Sequence, residues 1–69
     1  MRELVGKAFM NINNNGCTII SFTNGIITYE ETTSKFLYRA SVQNLVNKYM
    51  RQDSVLCEKI KTEYPEYFV

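Results

Sequence analysis

Histidine is missing from all 69 positions, which removes the commonest general base from this chain's chemistry. Serine and cysteine nucleophiles are ordinarily activated by a neighbouring imidazole, so neither a Ser-His nor a Cys-His pair can form. Cys17 and Cys57 stand forty positions apart with no C-x-x-C pair, which is not a metal-ligand spacing. They read as one disulfide or as two small buried hydrophobes, and an intracellular setting favours the second. Glu30 and Glu31 are adjacent carboxylates at the end of a strand-like run. Neighbours on a strand point to opposite faces, so the two do not make an acid/base couple. Gly6, Gly16 and Gly25 are dispersed and form no phosphate loop. No catalytic residue, metal or cofactor is expected.

Binding chemistry is better represented. From Thr32 to Gln52 there is no Asp or Glu, while Lys35, Arg39, Lys48 and Arg51 carry positive charge. Gln43, Asn47, Lys48 and Arg51 fall on one helical face and could meet base edges or phosphates in a major groove. Four charges are a small electrostatic footprint for nucleic acid, and a plain solvated face explains them as well. Such binding would be salt-dependent and weakened by Lys48→Glu plus Arg51→Glu. Asn11, Asn13, Asn14 and Asn15 line either a binding loop or an ordinary turn. Five tyrosines and four phenylalanines are more rings than so small a domain buries completely. Tyrosine is enriched at interface hot spots. Tyr64, Tyr67 and Phe68 are therefore the candidate protein-contact patch, unless they close the bottom of the core.

These side chains must be positioned by a few short elements. The central one is 42–52, VQNLVNKYMRQ. Val42, Leu45, Val46, Tyr49 and Met50 recur at steps of three and four, an apolar stripe at the helical period. Ser41 is its natural N-cap. Before it, residues 2–12 read as a first strand with mixed burial, or with a bulge at Gly6. Asn-Gly occurs at 15–16 and 24–25, the strongest short hairpin signal. It brackets strands 17–22 and 25–30. Residues 35–40, KFLYRA, are ambiguous by period; their aromatic content and the cap at Ser41 favour a fourth strand over a backward extension of the helix. A second helix is expected over 54–63, capped near Asp53-Ser54, with Val55, Leu56, Ile60 and Tyr64 inward and Pro65 ending it. Strands followed by helices define an α+β class: an antiparallel meander of three or four strands with two helices on one face.

Length and composition set the remaining bounds. Sixty-nine residues make a single small domain, 1–69. A chain this short buries only about 60% of its unfolded surface, so it gains from a partner subunit. No apolar run approaches the roughly 18 residues a membrane span needs. Met1 is not followed by a signal-like apolar region, so no membrane association and a cytoplasmic location are expected. A net charge of +1 fits neither an acidic DNA mimic nor a basic coat protein. Abundant Asn, Lys, Ile, Thr and Tyr suggest an AT-rich genome, and the chain resembles the small accessory proteins of phages, prophages and low-GC bacteria. The reading is a non-enzymatic protein-binding module, a regulator or inhibitor of a host protein, acting as a homodimer. A nucleic-acid-binding regulator is the alternative. An enzyme whose site is assembled across subunits ranks last.

Overall fold

The computed structural model describes residues 4–50 and 54–68. The expected strand start at 2–3, the helix end at 51–52 and the Asp53 cap lie outside the described residues. Four strands form one antiparallel sheet in the order β1-β2-β3-β4: Ala8–Met10, Gly16–Thr23, Ile26–Glu31 and Leu37–Ser41. Helix α1, Val42–Asn44, passes directly into a wider π-helical turn, Leu45–Tyr49; helix α2 is Ser54–Glu63, and a 3₁₀ turn spans Pro65–Tyr67. This is the expected α+β architecture, and 37–41 is a strand.

Turn chemistry sets the strand ends. Asn24 and Gly25 both take positive φ, 53° and 78°, as a primed two-residue hairpin turn requires. Gly25 is also pressed from outside: a β-carbon there would lie 2.8 Å from Cε1 of Tyr67. Gly25→Ala therefore combines left-handed backbone strain with a clash. A loss of about 1–2 kcal/mol is expected in denaturant unfolding, and an unchanged midpoint would contradict the fit. At the N-terminal side, Gly6 has φ 92° and Lys7 N donates to Leu4 O at 3.1 Å. That turn, and a second one after Asn11, confine the first strand to Ala8–Met10 rather than 2–12. Its alternation places Phe9 inside and Ala8 and Met10 outside.

Helices cover one face of the sheet only. Phe9, Cys17, Ile19, Ile27 and Tyr29 point from the strands into a core shared with Val42, Leu45, Val46, Met50, Ile60 and Tyr64. A register irregularity between Ile19 and Ser21 leaves Ile20 exposed on the other face. The Ser41 cap forms as expected, its Oγ accepting from Asn44 N at 3.1 Å. Two details differ from the 3.6-residue pattern. Met50 N donates to Leu45 O, five residues back, so the helix widens and stops. Met50 is then extended and bridges Asn11, and Tyr49, expected inside, turns out. In α2 the inward stripe is Leu56, Ile60 and Tyr64, with Leu56 partly covered. Val55, expected inside, is 68% exposed because it lies one step off that stripe.

Candidate protein-docking edge

The last strand, β4, is an edge, and its backbone direction can be read from its ladder. Glu31 N donates to Phe36 O at 2.9 Å and Val42 N donates to Gly25 O at 2.8 Å, at either end of the β3–β4 pairing. Antiparallel strands alternate bonded and non-bonded pairs. Tyr38 and Ala40 therefore turn their N–H and C=O toward β3, between the Phe36 carbonyl at one end and the Val42 N–H at the other. Leu37, Arg39 and Ser41 turn theirs outward, where no strand among the described residues meets them. Three consecutive large apolar side chains mark this edge: Phe36 is 64% exposed, Leu37 63% and Tyr38 40%. An exposed apolar edge strand is a template for another strand, and proteins ordinarily blunt such edges.

Behind the edge lies a cleft of 370 Å³ on the helix side, whose lining includes Tyr29, Tyr38, Tyr49, Asn11 and Asn44. Tyr38 stands opposite Tyr29 in the ladder, and their rings stack with centroids 5.5 Å apart at 25°. Phe9 meets the far side of Tyr29 edge-on at 5.3 Å. The row Phe9–Tyr29–Tyr38 thus runs from the core outward to the edge. Burial, and then the Cys17 thiol, push the Tyr29 hydroxyl above its ordinary pKa, so this ring stays neutral. Burial, and then the Glu31 charge, raise the Cys17 thiol likewise. Cys17 and Cys57 are not joined in a disulfide, and Cys17 is buried.

The wall of the cleft is tied down by one carboxylate. Glu31 accepts from the Ser34 hydroxyl at 2.6 Å, from Asn15 Nδ2 at 3.1 Å and from Asn11 Nδ2 at 3.3 Å. The Ser34 bond first, then those to Asn15 and Asn11, hold its pKa below the ordinary 4.5. A depressed carboxylate pKa adds stability that is fully present above the unfolded-state value and is lost as pH falls through the folded value. The midpoint of denaturant unfolding should therefore decline below about pH 4.5, and decline less in Glu31→Gln. Parallel pH profiles for the two proteins would contradict this role. Glu30, on the other face, pairs with Thr18 and Leu37; the two carboxylates are separated as strand alternation requires.

The residues chosen from sequence lie elsewhere. Tyr64 is 5% exposed, and its ring meets Phe22 edge-on at 5.1 Å. Tyr67 and Phe68 are half-buried against the core, with the Tyr67 ring 5.8 Å from that of Phe22. Most of the tail's aromatic area is thus spent on closing the domain beneath the β2–β3 hairpin. Gln43, Asn47 and Lys48 are exposed. They sit on a short helix whose pitch changes at Leu45, and Arg51 is outside the described residues. Sequence reasoning misses Phe36, Leu37 and Tyr38, although the sequence carries a signal for them. Three apolar residues in a row on a strand place at least one on each face, and helices cover only one. Among the described residues no three His, Cys, Asp or Glu side chains gather as metal ligands. No helix among them is long and apolar enough to cross a membrane.

No family model, no curated protein and no solved structure matches this chain.

Proposed function

We propose that this chain is a non-enzymatic protein-binding module that adds an extended protein segment as a fifth strand beside β4. The single observation that carries the reading is the coincidence of outward backbone groups at Leu37 and Arg39 with the exposed side chains of Phe36, Leu37 and Tyr38. Main-chain bonds supply affinity in strand addition, and alternate side chains supply selectivity. Small size, the missing imidazole and an AT-rich composition favour a regulator or inhibitor of a host protein in a phage or low-GC bacterium. The docking surface moves from the aromatic tail to this edge because the tail is packed on the core.

Tagged chain and its Arg39→Pro variant, each passed over lysate of a low-GC bacterium, test this. The Arg39 nitrogen faces away from β3, so proline removes an outward donor without breaking the β3–β4 ladder. A stoichiometric protein retained by the parent chain and lost with Arg39→Pro is the expected result. Binding that is indifferent to Arg39→Pro, in a variant with an unchanged circular dichroism spectrum, overturns the assignment to β4.

A further inference from the structure

We infer that the strand received by β4 is β4 of a second copy, in the register that sets Tyr38 against its own counterpart across a two-fold axis. This rests on the strand-addition reading and names its occupant.

Leu37 and Arg39 direct both N–H and C=O outward, whereas Ser41 caps the helix, its Oγ accepting from Asn44 N. Two outward residues separated by one are self-complementary in an antiparallel pair. Leu37 of each copy faces Arg39 of the other, and four main-chain bonds close the seam.

Charge selects this register among its neighbours. Sliding the strands so that Arg39 meets Arg39 places like charges directly opposite, which is unfavourable, and calls on Ser41, the residue that caps the helix. Sliding them the other way sets Leu37 against Leu37 and Arg39 against Lys35. That is again a like pair, at a residue whose φ of 65° leaves the strand. In the chosen register Arg39 lies across from Leu37 of the second copy. Beyond that leucine on the same face is Glu30, its ladder partner. Strands are spaced by about 4.8 Å, so an arginine side chain spans one strand to meet that carboxylate.

The aromatic row supplies the second part. Tyr38 is on the dyad, in a non-bonded pair whose side chains approach most closely. The row Phe9–Tyr29–Tyr38, with its 5.3 and 5.5 Å steps, continues into the same row of the second copy in reverse order. The 370 Å³ cleft beside Tyr38 gives the incoming ring space. Phe36, otherwise 64% exposed, comes to lie over Ala40 of the second copy. The result is a two-fold dimer with one eight-stranded sheet and helices all on one side.

A four-bond seam with few side chains sits at the small end of interface sizes, below about 1,200 Å² of total buried area, so the dimer is a weak one. Light scattering coupled to size exclusion should therefore be run over a dilution series reaching about 1 mM. The expected mass rises from 8.1 kDa toward twice that value with concentration. Arg39→Pro and Leu37→Lys should both stay monomeric, with unchanged circular dichroism. Register is read by mild oxidation: Tyr38→Cys forms a disulfide-linked dimer, while Leu37→Cys, whose copies are diagonal at about 7–8 Å, does not. A parent chain that is monomeric at the top concentration, a dimer untouched by both folded edge variants, or cross-linking of Leu37→Cys instead of Tyr38→Cys overturns the inference. A monomeric parent that still captures another protein in an Arg39-dependent way refutes the second copy alone. A β4 dimer that captures nothing else keeps the inference and refutes the host-protein reading.

Discussion

Ile27→Ala should lower the thermal midpoint by about 8 °C or more, the largest effect expected of any single truncation in this protein. Ile27 is 0% exposed and occupies β3, which is flanked on both sides, by Phe22 of β2 and Ala40 of β4. No solvent-facing route exists for the neighbours to relax, so the missing carbons leave a cavity. Replacing a buried isoleucine by alanine costs about 2–5 kcal/mol. Folded domains hold only about 0.05–0.15 kcal/mol per residue, so a chain of this length has little more than that to lose. Circular dichroism melting of Ile27→Ala beside Val55→Ala gives the contrast. Val55 is 68% exposed, and truncation there should stay within about 0.5 kcal/mol of the parent. Similar midpoints for the two variants would show that β3 is not the centre of the core.

Asn11→Ala should come second, at about 2–3 kcal/mol. One side chain is asked to make three bonds. Its Oδ1 accepts from the N–H groups of Asn13 at 2.9 Å and Asn15 at 3.0 Å, and its Nδ2 donates to Glu31. Asn11 is also buried and its backbone bridges Met50, where the helical segment ends. Truncation strands two loop N–H groups and loosens the hairpin from β3 at once. Asn11→Asp separates these roles. It keeps the acceptor for both N–H groups but turns a like charge toward Glu31. It should therefore be destabilised at neutral pH and recover as the carboxylates protonate in acid, whereas Asn11→Ala should not recover. Urea unfolding at pH 7 and pH 4 reads both variants, and a pH-independent deficit in Asn11→Asp would place the cost elsewhere.

Ile27 and Asn11 are unequally legible in the sequence. Ile27 lies in a β-branched run between an Asn-Gly turn and a polar end, so its strand and its burial follow from local pattern. Asn11 read as one of several turn asparagines. Its reach to Glu31 spans twenty positions, and nothing in the local pattern encodes such a pairing. The edge at β4 was half legible. Its strand state was favoured by aromatic content, but the exposure of Phe36 and Leu37 depends on which strand lies last in the sheet. The tail shows the converse. Tyr64, Tyr67 and Phe68 looked like surplus aromatic surface, and the packing spends them on Phe22 and the space above Gly25.

What the sequence determined by itself was the local grammar: a turn within 11–16, a hairpin at 24–25, a cap at Ser41, a stop at Pro65, and the α+β order of strands before helices. Each is a short-range matter of allowed φ, capping bonds or side-chain period, and the neighbouring residues suffice to settle it. The Asn-Gly pair at 15–16 is not itself the turn, because Gly16 already pairs with Met10 as the first residue of β2 and Asn14 takes the positive φ. Tertiary structure alone decided which aromatic rings close the core and which stay out, where the helical pitch widens, and that the Glu31 carboxylate gathers Ser34, Asn15 and Asn11. Those outcomes depend on residues far apart in the chain competing for the same buried space and the same polar partners. Local preference is silent on that competition, and only the packed molecule resolves it.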